Sequence, residues 1–96
     1  MSETHTDIPT ELLQRSAAKW DAEWHAMCAI EEMSELTKQL IKLYRGKSNH
    51  YDDMVEEVAD VLIKIEQLIV SYKIPREQLD AIIGKKLERL KKRIGN

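Results

Sequence analysis

Four carboxylates stand out by their spacing. Glu32 and Glu35 are three residues apart, and so are Glu57 and Asp60. In a helix of about 3.6 residues per turn, each pair lies one turn apart on one side. Two side chains placed this way can reach one ion, as they do in metal-binding helical bundles. All-oxygen donors suit a hard divalent cation, with Mg²⁺ the natural choice and Mn²⁺ a possible substitute. Such an ion bridges phosphate oxygens, and two can clamp the attacking and leaving groups of an in-line displacement.

Either pair alone is also common on a solvated helix face. Their register adds weight. A shift of 25 residues lays Glu31-Glu32 on Glu56-Glu57, Met33 on Val58 and Glu35 on Asp60. It also lays Leu36 on Val61, Leu40 on Ile65 and Leu43 on Leu68. Each acidic pair therefore borders a matching apolar stripe rather than opposing it. Two antiparallel helices packed by these stripes would bring the pairs together at a half-buried seam. Four anions gathered there repel one another and lose solvation, so protons or cations must neutralise them.

The elements that position these groups are helical. Apolar residues recur at three- and four-residue steps nearly throughout. Residues 1–7 are expected to fray. Thr6 or Asp7 can cap a first helix with Pro9 in its first turn, Thr10 is a competing cap, and the helix ends near Trp20. A second helix is predicted from about Asp21 to Tyr44. Arg45 to Asn49 forms a break in which Gly46 suits a left-handed residue. Asp52 or Asp53 can cap a third helix running to about Tyr72, and Pro75 opens a fourth. No segment alternates with period two, so an all-α four-helix chain without a sheet is expected.

The length of 96 residues fits one domain over 1–96. The chain is 43% hydrophobic and 33% charged, a globular rather than a disordered balance. A domain this small gains core by self-association, so a homodimer or homotetramer is expected. No run approaches the roughly 18 uncharged apolar residues of a membrane span. The polar N-terminus lacks a signal-peptide pattern, and a cytoplasmic location follows as the simplest expectation. The single cysteine, Cys28, excludes a disulfide or a cysteine-based zinc site within one chain. Gly84 to Asn96 carries six basic residues against Glu88, whereas the rest of the chain is acidic. That basic stretch could face nucleic acid, the chain's own carboxylates, or a phosphate held by a metal. With no aromatic residue interleaved for stacking, nucleic acid is not favoured.

These segments resemble the MazG family, the all-α nucleoside triphosphate pyrophosphohydrolases. The resemblance is carried by Trp20-Asp21-Ala22-Glu23-Trp24-His25, Ile30-Glu31-Glu32-Met33-Ser34-Glu35-Leu36, Arg45-Gly46-Lys47, and Val55 to Ile63. It spans about residues 9–94. The family hallmark, E-x-x-E on one helix and E-x-x-D on the next, matches Glu32/Glu35 and Glu57/Asp60. The resemblance implies hydrolysis of a (d)NTP to the monophosphate and pyrophosphate, a reaction that cleans nucleotide pools. It implies Mg²⁺ held by the four carboxylates and a water, activated by the metal or by a glutamate of the cluster, attacking phosphorus. Glu35 and Glu57 are the candidate bases.

The resemblance also places phosphate-binding cations on the last helix, where Lys85, Lys86 and Arg89 stand. Arg45 and Lys47 follow the metal helix and could reach phosphate too. Trp20 could stack on a base or pack the core. His25 stands where relatives carry Gln, and a hydrogen-bonding surface position is the plain expectation. Asp53 falls where some relatives place a Lys. Cys28 reads as a packing residue. Glu66 falls inside the apolar arc of its helix and could pair with a basic residue across a subunit contact. The alternatives are a related dUTP/dCTP or phosphoribosyl-ATP pyrophosphohydrolase, or a non-catalytic helical oligomer.

Overall fold

The computed structural model describes residues 7–46 and 48–95. They form four α-helices and no strand: α1 Thr10–Lys19, α2 Ala22–Tyr44, α3 Tyr51–Ser71 and α4 Arg76–Ile94, with a 3₁₀ turn over Ser48–His50 before α3. The all-α, four-helix expectation holds among the described residues. No helix among them is long and apolar enough to cross a membrane.

Local chemistry explains most boundaries. Asp21 caps α2, its carboxylate accepting from the Trp24 amide at 2.8 Å and satisfying one of the helix's orphan donors. Gly46 ends α2 with a left-handed φ of 85°, and its amide donates to the Leu43 carbonyl. Two caps differ from expectation. Pro9, in extended conformation, is itself the N-cap of α1, so the helix starts at Thr10, two residues later than a cap at Asp7 would require; Thr6 lies outside the described residues. The 3₁₀ turn runs straight into α3, whose N-cap is His50. Asp52 and Asp53 therefore sit in the first turn, where their charge favours the helix dipole.

α3 ends at Ser71 with Tyr72 as its C-cap, where the sequence places it. Lys73 takes a left-handed φ of 55°. The Ile74 amide reaches back to the Ile69 carbonyl at 2.9 Å and the Lys73 amide to Val70 at 3.1 Å. That is a complete Schellman motif built on lysine instead of glycine.

α2 and α3 pack along one another, and α1 lies against α3. Among the described residues, the buried apolar side chains are Leu13, Ala29 and Ile69, accompanied by His25 and Glu66. His25 is wholly buried, which corrects the surface expectation. Its Nε2 donates to the Ser16 carbonyl at 3.0 Å, near the C-terminal end of α1, and its ring lies edge-on to Trp20 and Trp24. The imidazole thus ties α1 to α2. Glu66 bonds Arg76 of the same chain. A basic partner is therefore supplied within the chain, by the first turn of α4. Beyond that anchor, α4 has no extended interface with α1, α2 or α3, and none of its residues is fully buried.

Candidate metal centre

The two long helices run antiparallel. Glu32 on α2 lies by Glu57 and Asp60 on α3, whereas Trp24, two turns earlier on α2, lies by Lys64, one turn later on α3. This is the pairing that the matched apolar stripes demand. One oxygen from each of Glu32, Glu57 and Asp60 falls within 4.8 Å of the other two. Glu32 and Glu57 are half-buried and Asp60 is exposed.

The electrostatics are those of a crowded acidic seam. The Glu57 carboxyl is pushed above its ordinary value. Burial is the largest cause, followed by a hydrogen bond with Glu32 and by repulsion from Glu32, Asp60 and Glu35. Burial and like charges both disfavour the carboxylate form. Glu57 Oε1 is itself buried with no hydrogen-bond partner among the described residues. An orphaned buried oxygen, hard donors and mutual repulsion together fit a divalent cation.

Glu35 is not one of the three gathered carboxylates. Its Oε2 lies 3.3 Å from Lys38 Nζ, in a pair whose side chains are 47% and 63% exposed. It still adds to the negative potential on Glu57.

The cationic candidates lie further off. Lys85, Lys86 and Arg89 are exposed on α4, and no α4 side chain is among the groups that act on Glu57. Arg45 is the exposed C-cap of α2, thirteen residues beyond Glu32 and hence about 20 Å along the helix. Lys47 lies outside the described residues. Among the described residues, Lys85, Lys86, Arg89 and Arg45 are not brought to the carboxylates within the chain.

Trp20 does not enter the core. It stacks on Trp24 with ring centroids 4.3 Å apart and planes at 14°, and each indole stays 38% exposed. Lys64 Nζ sits 5.5 Å from the Trp24 ring centre, a cation–π contact. Trp24 and Lys64 were not singled out as site residues from sequence. The signal was there: Trp24, Cys28 and Glu32 step by four, as do Asp60 and Lys64, so one face carries aromatic, thiol, carboxylate and cation. An apolar cleft of about 480 Å³ lies elsewhere, between α1 and α3, lined by residues including Leu12, Leu13, Ile63 and Gln67. Comparison with protein-family models, curated proteins and solved structures finds no match for this chain.

Proposed function

We propose that the α2–α3 seam holds Mg²⁺ and that the protein is a MazG-like nucleoside triphosphate pyrophosphohydrolase, turning a (d)NTP into a (d)NMP and pyrophosphate. The observation that carries this reading is the convergence of Glu32, Glu57 and Asp60 within 4.8 Å on helices that bear the E-x-x-E and E-x-x-D motifs. Bound there, Mg²⁺ would offset the triphosphate charge and make water more acidic.

The chain's own groups divide the remaining work. Glu32, Glu57 and Asp60 supply the ligand oxygens. Glu35, set apart from them and beside Lys38, is the better placed general base for the attacking water. A base needs to reach that proton without surrendering its oxygens to an ion. Glu57 is the other candidate base. Lys64, one turn from Asp60, can meet a phosphate, and the stacked Trp20–Trp24 pair offers an exposed indole for a nucleobase.

The test is incubation with a panel of NTPs and dNTPs in Mg²⁺, with products resolved by chromatography. Monophosphate and pyrophosphate are expected from at least one substrate. Diphosphate and phosphate, or no turnover of any member, would overturn the proposal.

A further inference from the structure

Two clefts on α1 share a wall. The apolar cleft between α1 and α3, about 480 Å³, is lined by Ile8, Pro9, Leu12, Leu13 and Ile63. A second cleft, about 300 Å³, is lined by Arg15, Lys19 and Trp20. Leu12 and Ser16 border both, so the two form one groove along α1. Each volume falls within the range of small-ligand sites, about 300–1,000 Å³. From Pro9 to Lys19 the groove follows ten residues of helix, about 15 Å.

The groove is polarised. Leu13 turns into the core and is buried, whereas its neighbour Leu12 stays 52% exposed and Ile63 41%. These two side chains line the apolar end without being covered. The polar atoms at that end are acceptors. Asp7 stands at its mouth, and Gln67 Oε1 is buried with no hydrogen-bond partner among the described residues. An anionic head is therefore turned away from the apolar end and an uncharged chain is left to fill it. At the other end stand two cations. Arg15 and Lys19 are one turn apart on α1 and both exposed. Among the described residues neither forms an ion pair. Lys19 Nζ lies 5.7 Å from the Trp20 ring centre, held over the aromatic wall.

We infer that this groove binds a single-chain anionic amphiphile of the fatty-acid class. The carboxylate sits at Arg15 and Lys19, and the chain runs over Leu12 towards Ile63. The length agrees: an acyl chain of a bilayer reaches about 15 Å, half of the hydrocarbon core. The charge is local, because the protein as a whole carries −2 and would otherwise favour a cation. The groove is separate from the carboxylate seam, and the inference does not rest on the pyrophosphohydrolase reading. Trp20, at the head end, is the one groove residue also offered to a nucleobase.

Calorimetric titration of the full chain with octanoate, decanoate and dodecanoate, all below micelle formation, is the test. Affinity should rise by at least about twofold per added CH₂, where full burial gives about fourfold. No binding, or no dependence on chain length, would overturn the inference. Dodecyltrimethylammonium has the same chain and the opposite charge, and it should bind at least about tenfold more weakly than dodecanoate. In the double variant Arg15→Glu, Lys19→Glu that order should reverse. Equal affinity for the two heads in either protein would mean apolar adsorption and refute the site. Leu12→Glu sets a carboxylate where the two clefts join. It should cost dodecanoate at least about tenfold and keep its helical circular dichroism, because Leu12 is half exposed. Undiminished affinity in that folded variant would refute the path of the chain. Two further outcomes would give the groove another occupant and overturn the inference. Affinity that falls as protein concentration rises would assign it to a second copy of this chain. Binding to anionic phospholipid vesicles without binding to monomeric dodecanoate would assign it to a membrane surface.

Discussion

Arg76→Ala should be among the most destabilising single substitutions in the chain. The Glu66 side chain is only 2% exposed and that of Arg76 19%, so the pair is shielded from water and from salt. Removing one partner of a buried ion pair costs about 3–5 kcal/mol, because the remaining charge keeps its desolvation penalty and loses its compensation. Arg76 keeps some solvent contact, and Glu66 has other interactions that survive, so the lower part of that range applies, about 3 kcal/mol. For a domain of this size each kcal/mol moves Tm by about 4–8 °C, so a fall of at least about 10 °C is expected. The assay is thermal unfolding followed by circular dichroism, at one fixed protein concentration because association would shift the midpoint. The double variant Glu66→Leu, Arg76→Leu is the control. Well-packed apolar replacements of a buried pair are often neutral or better, so it should recover most of the loss. A drop below about 1 kcal/mol for Arg76→Ala would show that water reaches Glu66 and that the anchor of α4 lies elsewhere.

Glu57→Gln should raise Tm without metal, abolish turnover and abolish stabilisation by Mg²⁺. A carboxyl whose folded-state pKa is raised favours the fold while protonated. That contribution is present below the ordinary glutamate value of about 4.5 and is lost as pH climbs towards the folded one. The gain from Gln should therefore be seen at pH 7 and vanish at pH 4; a Tm lowered at pH 7 would contradict the crowded-seam electrostatics. Asp21→Ala removes the side-chain acceptor of the Trp24 amide and should cost about 1 kcal/mol in urea unfolding; no loss would mean that the cap is idle. Lys73→Gly relieves a lysine held at φ 55°. A non-glycine residue there costs about 1–2 kcal/mol and the freer unfolded glycine returns part of that, so a gain of about 0.5–1 kcal/mol is expected. A loss would place the value of Lys73 in its side chain.

The seam was legible because two helices repeat the same relation between acid and apolar stripe, and antiparallel packing of the stripes leaves the acids little freedom. Glu35 was not legible by the same route. Its equivalent under the 25-residue shift is Asp60, but the repeat breaks three residues on, where Lys38 on α2 matches Ile63 on α3. Lys38 pairs with Glu35, whereas Ile63 stands in its place on α3. The burial of His25 depends on α1 folding back over the start of α2, a tertiary event with no periodic signature. The end of α3 was legible from Pro75, but the left-handed turn at Lys73 was not, because the residue that takes it is not glycine. Helix spans themselves were close throughout, since Asp21, Gly46 and Pro75 mark them with ordinary capping chemistry.

Two kinds of positive charge are available to the acidic hairpin, and they act at different ranges. A divalent ion among Glu32, Glu57 and Asp60 would sit in direct contact with half-buried oxygens, where salt screens weakly. The lysines and arginines of α4 are exposed, and their pull is screened over about 8 Å at physiological ionic strength. The first can offset the burial and the repulsion that raise the Glu57 pKa. The second cannot reach that carboxyl within one chain, yet it is the larger charge and lies beside an uncovered apolar stripe. A triphosphate needs both: an ion at the point of reaction and flexible cations along its length. The single chain gathers the carboxylates for the first and holds the second away from them. The acidic seam and the uncovered α4 stripe are two consequences of the same arrangement.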